Sequence, residues 1–234
     1  MDGAFAKRER EERDVMSSVI ENDHVLDQIV FVGESLGPLF LYEPVFKSEQ
    51  VAPLLQAYAD IDADAAGADW PFVEAYTASG LLSGMKAGLA QGIDADALVD
   101  DYRRLFVGPG PKACPPWGSV YTDPDQVIFG ESTLALRRWL KREGIAFDFG
   151  DSEEPDDHIG ALLVLMAWIA RNRPELTEEF LKEHLLPWAL HFLTLMQKEA
   201  AHPFYRGLAQ LTSLTLAGMQ KDLDLHVDEP NFYR

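Results

Sequence analysis

The hydrophobic residues of this chain recur mainly at the three- and four-residue spacing of an α-helix. From position 26 this spacing continues to about position 41, which predicts a first helix over 25–41. Proline, glycine and capping residues divide the rest of the chain into further helical segments. These are predicted at 71–91, from 94 through 106, and at 132–141, 155–171, 174–198 and 203–223. Because no clear alternating pattern predicts a strand, we expect an all-α, single-domain helical bundle.

The segment 155–171 is apolar nearly all round its helical circumference, so we expect it to form the buried centre of the bundle. Pro155 suits the first position of this helix, and the acidic residues beside it complement the positive end of the helix dipole. Pro187 lies inside the predicted helix 174–198, where it predicts a kink.

Two segments are rich in small residues. The run 60–69 consists largely of Ala, Asp and Gly, which predicts a surface loop. Gly80, Gly84 and Gly88 lie four residues apart on one predicted helix, and this spacing predicts a close crossing with another helix.

The chain divides into a charged amino-terminal appendage, 1–24, and a globular domain, 25–234. Oppositely charged residues alternate in the appendage at spacings that suit an exposed helix. The longest apolar run, 161–170, is about half the roughly 20 residues that a membrane span needs. We therefore expect a cytoplasmic protein with no stable membrane insertion. Cys114 is the only cysteine, so the chain can form neither an intrachain disulfide nor a multi-cysteine metal site.

The net charge of the chain indicates which kind of partner it binds. Lys and Arg number 20 against 39 Asp and Glu, which gives a formal net charge of -19. Such a surface repels nucleic acid and attracts basic segments. We therefore expect a basic partner and no nucleic acid.

The segment 108–121 contains four prolines and reads as an ordered loop or hinge. Its aromatic and proline side chains, with those of the preceding helix, suit the apolar half of a peptide groove. The residues concerned are Tyr102, Phe106, Pro115, Pro116, Trp117 and Tyr121. Core packing is the alternative for each aromatic residue, and Leu105 and Phe106 fit it best.

A second cluster of polar residues, 153–158, stands directly before the most apolar helix. Asp157 or Glu154 could bind a metal ion together with His158, although no second histidine follows at helical spacing. Alternatively, Glu154 and Asp157 could accept a guanidinium group and neutral His158 a further donor. In that case, the acidic cluster and the aromatic loop together hold a basic-then-apolar peptide, whose arginines face Asp157 and Glu154.

Six segments of this chain resemble the TorD/DmsD family of redox enzyme maturation chaperones. They are Arg104-Leu-Phe-Val-Gly-Pro109, Pro115-Pro-Trp-Gly-Ser-Val120, Phe129-Gly-Glu-Ser-Thr-Leu-Ala-Leu-Arg137, Glu154-Pro-Asp-Asp-His158, Leu186-Pro-Trp188 and His202-Pro-Phe-Tyr-Arg206. The resemblance extends over nearly all of 27–234. It implies a helical chaperone that binds the twin-arginine leader of a DMSO-reductase-type precursor until its molybdenum cofactor is inserted.

The resemblance also implies partners and site residues. The partners are the leader and precursor of a molybdenum oxidoreductase, and the Tat translocon. The implied binding residues are Tyr102, Leu105, Phe106, Pro116, Trp117, Tyr121, Pro155, Asp157 and His158. The chain departs from the family pattern at Tyr102, where the family has tryptophan, and at Gly110, where it has an aromatic residue. Neither a catalytic role nor a bound cofactor is implied.

Three alternatives stay open at this point. One is a metal-dependent hydrolase centred on His158, for which the sequence lacks a complete ligand set. Another is a GTP-binding enzyme centred on the same residue, for which it lacks a phosphate loop. A chaperone of the same fold for a nitrate-reductase-type client is the third. The oligomeric state, monomer or domain-swapped dimer, also stays open.

Overall fold

The computed structural model describes residues 23–46, 48–147 and 155–234. Throughout these residues the regular structure is helical and no strand is present, which confirms the prediction of an all-α protein. The helices are α1 (23–41), α2 (Ser48–Asp60), α3 (Ala63–Asp69), α4 (Ala75–Gly88), α5 (Asp96–Tyr102), α6 (Gly118–Thr122), α7 (Glu131–Arg142), α8 (Ile159–Asn172), α9 (Thr177–Phe180), α10 (Leu186–Glu199) and α11 (Pro203–Asp222). Helix α4 packs against α3 and α11, α11 packs also against α10, and α6 contacts both α7 and α10.

Helix α8 forms the buried centre that its apolar sequence predicts, because ten of its fourteen residues are buried. It crosses α1 at very short range. A Cβ atom on Gly160 would lie 2.7 Å from the carbonyl oxygen of Gly37, and one on Gly37 would lie 2.9 Å from that of Gly160. Glycine at both positions therefore allows the two backbones to approach.

The predicted close crossing of the Gly80, Gly84 and Gly88 series is present only at its end. A Cβ on Gly88 would lie 2.8 Å from the amide nitrogen of Phe204 in α11. Among the described atoms none lies within 4 Å of a Cβ placed on Gly80 or Gly84. For these two glycines the prediction was wrong, since that side of α4 faces open space.

The segment predicted as one kinked helix, 174–198, is divided into shorter pieces. A π-helical turn, Leu181–Leu185, separates α9 from α10, and Pro187 lies in the first turn of α10. Proline has no N–H to donate to the carbonyl four residues earlier. The break therefore takes the form of a wider helical turn just before the proline.

Helices α3 and α5 both differ from the sequence predictions. The run 60–69 contains helix α3 rather than a surface loop, because the Asp62 side chain accepts a 3.2 Å hydrogen bond from the amide of Ala65 and caps it. Helix α5 begins after Ala95, which caps it without a side-chain hydrogen bond, so the helix starts at Asp96 and not at the predicted position 94.

No helix within the described ranges is both long enough and apolar enough to cross a membrane. The predicted appendage, 1–24, lies outside the described residues except for its last two, which belong to α1. The boundary between appendage and domain therefore stays a prediction.

Candidate functional site

The proline-rich loop and the acidic segment before α8 meet along their backbones. The amide of Ile159 donates to the carbonyl of Pro116 at 2.8 Å, and the amide of Gly118 donates to the carbonyl of Asp157 at 3.2 Å. Trp117 and His158 face each other between these bonds as an isolated antiparallel pair. We refer to residues 115–119 and 155–160 as the paired loops. Residues that sequence analysis placed in two candidate clusters thus form one structure.

The Asp157 carboxylate lies inside this structure and is only 2% exposed. It accepts hydrogen bonds from the Ser119 amide at 2.7 Å, the Ser132 hydroxyl at 2.5 Å and the Thr133 hydroxyl at 2.7 Å. Ser119 lies in the first turn of α6, and the other two donors lie in the first turn of α7. One charge therefore stabilises the amino ends of two helices, where the dipole favours an anion.

His158 is the N-cap of α8, because its Nδ1 accepts a 3.0 Å hydrogen bond from the amide of Gly160. The prediction that Pro155 opens this helix was wrong: Pro155 begins a turn, and α8 begins four residues later at Ile159. The imidazole is 4% exposed, and burial lowers the pKa of His158 to about 3. His158 is therefore neutral near neutral pH, as a residue at the positive end of a helix dipole should be.

Tyr102, Leu105 and Phe106 lie in the protein interior, each at most 4% exposed. The hydroxyl of Tyr102 donates to the carbonyl of Phe40 at 3.0 Å, and its ring lies 5.1 Å from that of Phe106. The amide of Cys114 donates to the carbonyl of Leu105 at 3.0 Å, so the proline-rich loop folds back over this layer. These three predicted site residues therefore support the loop from below.

Pro116, Trp117 and Tyr121 hold the loop in place. The Tyr121 hydroxyl donates to the carbonyl of Pro115 at 2.8 Å, and its ring stacks on Trp188 with the ring centroids 6.1 Å apart. Pro116 and Trp117 belong to the paired loops, and the Lys112 ammonium lies 5.1 Å from the centre of the Trp117 ring. Pro155, Asp157 and His158 join them there, whereas the predicted site residue Glu154 lies outside the described residues.

A cavity of about 230 Å³ opens beside the buried Asp157, between α7, α8 and α10. We refer to it as the α7–α10 cleft. Its apolar wall consists of Ala135, Leu136, Leu162, Pro187, Trp188 and Pro230, and its polar wall of Thr122, Glu131, Ser132, Asp157, Glu183 and His184. No local pattern in the sequence indicated this cleft. The one available signal was that Glu131 and Trp188 fall in segments that carry the family resemblance.

The carboxy-terminal segment, 225–234, has no regular secondary structure and lies against the proline-rich loop. The amide of Tyr233 donates to the carbonyl of Tyr121 at 2.9 Å, and the Arg234 guanidinium donates to the carbonyl of Lys112 at 2.9 Å. Phe232 stacks on His191 with the ring centroids 3.9 Å apart. This segment therefore braces the proline-rich loop and contributes one residue to the cleft.

Comparison with known proteins gives a consistent result. The profile of the family described as "Nitrate reductase delta subunit" matches residues 75–194. The chain is 40% identical over 209 residues to the Tat proofreading chaperone DmsD of Salmonella typhi, which covers 89% of this chain and 97% of that protein. This chain belongs to the TorD/DmsD family. It is also 40% identical over 212 residues to the probable Tat proofreading chaperone DmsD of Haemophilus influenzae, and 31% identical over 137 residues to the chaperone protein TorD of Shewanella piezotolerans. These alignments cover 90% and 54% of this chain, and 99% and 61% of the two relatives.

Proposed function

We propose that this TorD/DmsD family member is a cytoplasmic chaperone, not an enzyme. It binds the twin-arginine leader of a DMSO-reductase-type molybdenum oxidoreductase precursor until the cofactor is inserted and the precursor passes to the Tat translocon. The observation that carries the proposal is the 40% identity to a Tat proofreading chaperone over 97% of that protein's length. The paired loops, and all residues that line the α7–α10 cleft except Pro230, lie within the part of the chain that matches the family profile.

The chemistry of the paired loops favours binding over catalysis. A general base works best when its pKa lies near the operating pH, whereas burial holds the pKa of His158 near 3 and its Nδ1 already accepts a hydrogen bond. Cys114 is buried, and burial raises the pKa of its thiol to about 12, which disfavours the nucleophilic thiolate.

In this proposal the paired loops and the adjoining cleft form the binding surface. Pro116, Trp117, Pro155 and His158 are buried within a backbone-paired structure, so they fix the shape of the surface that the leader meets. Tyr121 fixes the loop from beneath, and Asp157 fixes it to α6 and α7. Tyr102, Leu105 and Phe106 act on binding through the position of the loop above them.

The test is calorimetric titration of the full chain with a synthetic leader peptide at low and at moderate salt. We expect binding that weakens as salt is added, because a net charge of -19 attracts the paired arginines. A matched leader with both arginines replaced by glutamine should bind more weakly. Equal affinity for the two peptides would contradict the proposal.

A nitrate-reductase-type client is a second candidate, because the matching family carries that description. The two candidates differ in whether the client has an exported leader. Affinity capture of clients from cells, with the leader peptide as competitor, distinguishes them: the peptide should displace an exported client and leave the other bound.

A further inference from the structure

The carboxylates near the paired loops differ in whether they are free to accept a guanidinium group. Asp157 was the candidate from sequence, yet its two oxygens already accept three hydrogen bonds from the protein and its side chain is buried. An arginine that bound there would have to displace donors that hold the amino ends of α6 and α7. The α7–α10 cleft offers two better acceptors.

Glu131 and Glu183 are exposed and line this cleft from opposite elements, α7 and the π-helical turn before α10. Within the described part of the chain, the Glu183 carboxylate has no hydrogen bond or ion pair. Among the described residues Glu131 pairs only with Arg138 of its own helix, and both side chains are well exposed, at 70% and 63%. Exposed pairs of this kind contribute little free energy, so a ligand arginine can replace Arg138 at small cost.

An independent observation at the same place points to a ligand. His184 lines the cleft, is 9% exposed, and its Nε2 is buried without a hydrogen-bond partner among the described residues. Burial lowers the pKa of His184 to about 4, so the ring is neutral and one of its nitrogens can accept an N–H. Buried polar atoms normally have a hydrogen-bond partner, and a donor that enters the cleft would provide one for His184.

An apolar surface adjoins the acidic wall. Val127, Ile128 and Phe129 form a turn directly before α7 in which all three side chains are between 42% and 47% exposed. Phe129 has a φ of 65°, a left-handed conformation that bulky side chains rarely adopt. The turn therefore presents three large apolar side chains to solvent beside Glu131, the first residue of α7.

We propose that the α7–α10 cleft is the arginine-binding half of the leader site. Glu131 and Glu183 accept the paired guanidinium groups, His184 accepts a further N–H, and the apolar stretch of the leader continues over the 127–129 turn. The occupant is a peptide with two adjacent arginines followed by apolar residues, since acidic and apolar surfaces lie side by side here. This inference rests on the proposed function and assigns the residues that read the leader.

The test is a double-mutant cycle by calorimetry on the full chain. Glu131→Gln and Glu183→Gln should each weaken binding of the twin-arginine leader about tenfold. The affinity of each variant for the glutamine-substituted leader should stay within about twofold of that of the unmodified chain. Glu178→Gln is the matched control. Glu178 is an exposed residue of α9 outside the cleft, so its substitution removes the same charge and should change affinity less than about twofold.

A second pair of variants tests the apolar half. Ile128→Ser should weaken binding about fivefold, whereas Val45→Ser, which truncates a side chain of similar exposure outside the cleft and the 127–129 turn, should have little effect. Circular dichroism on each variant checks that the fold is retained.

The outcomes separate this inference from the proposed function. If the unmodified chain prefers the twin-arginine leader but both cleft variants keep full affinity, the assignment of Glu131 and Glu183 is overturned and the proposed function stands. If the unmodified chain binds the two leaders equally or binds neither, both fail. Loss of affinity in both glutamate variants, with the Glu178 control unchanged, supports the assignment.

Discussion

The hydroxyl of Thr133 donates a 2.7 Å hydrogen bond to the carboxylate of Asp157, and both side chains are buried. This contact joins the first turn of α7 to the segment before α8. The Ser132 hydroxyl and the Ser119 amide complete the set of donors around the carboxylate. The buried carboxylate is matched in charge and geometry by these protein donors. Asp157 therefore stabilises the fold around the site and is not free to bind a ligand.

We expect Asp157→Asn to lower the free energy of unfolding by about 2–3 kcal/mol, because the amide group turns an N–H₂ toward groups that donate. Urea unfolding followed by circular dichroism measures the change. Asp156→Asn is the matched control. Asp156 pairs with Arg137, whose side chain is 47% exposed, so its loss should cost less than about 1 kcal/mol. Equal stability of the two variants would contradict this role of Asp157.

The pattern of apolar residues predicted the amphipathic helices, which bury one side, and the central helix, which is buried nearly all round. Helix α8 is the clearest case, since its apolar residues left no alternative to a central position. Helix α3 was missed because its sequence, Ala63–Asp69, contains no large apolar side chain. It depends on the Asp62 cap and on packing against the next helix, α4, and the pattern of apolar residues does not reveal that packing.

For the candidate site, composition located the proline-rich loop and the acidic segment but not their arrangement. The donors to Asp157 lie 24 to 38 residues earlier in the chain, so no local pattern indicates that its carboxylate points inward. Glu183 and His184 lie within a predicted helix and look like ordinary helical residues. Only the π-helical turn before α10 brings them to the cleft beside Glu131.

Two glycine substitutions, one at the α1–α8 crossing and one in α4, should have opposite effects on stability. Gly160→Ala should lower the free energy of unfolding by more than about 2 kcal/mol, because its Cβ would lie 2.7 Å from a backbone oxygen that belongs to Gly37. Gly84→Ala should raise it by about 0.5–1 kcal/mol, since this glycine lies inside α4 and a Cβ there meets no described atom. Thermal unfolding of both variants checks the pair, and destabilisation by Gly84→Ala would contradict the open environment of that glycine.

His158 combines a capping role with a predicted binding role, and two variants separate them. His158→Ala removes the acceptor for the Gly160 amide and should cost about 1 kcal/mol of stability. His158→Asn supplies a capping oxygen and should recover most of that loss. If His158 also contacts the leader, both variants should weaken leader binding in calorimetry. Full affinity in His158→Asn would show that the imidazole serves the helix alone.

The two buried histidines predict a pH dependence of stability. Burial lowers the pKa of His158 from 6.5 to about 3, and that of His184 from 6.5 to about 4. Between these values and 6.5 the unfolded chain binds more protons than the folded chain, so the free energy of unfolding falls as the pH is lowered. The loss should begin below about pH 6.5 and continue toward about pH 3, with up to about 1.4 kcal/mol per pH unit from each histidine.

Urea unfolding at about pH 7, 6 and 5 measures this slope. His158→Asn removes one titrating group while it keeps a cap, so its slope should be shallower than that of the unmodified chain. His226→Asn provides the control, because the His226 side chain is 93% exposed and its removal should leave the slope unchanged. If His158→Asn and the unmodified chain lose stability equally between about pH 7 and 5, the imidazole titrates alike in both states and is not held neutral by burial. If the slope of stability against pH becomes shallower in His158→Asn but not in His226→Asn, the His158 ring is buried and neutral at the amino end of α8 in solution.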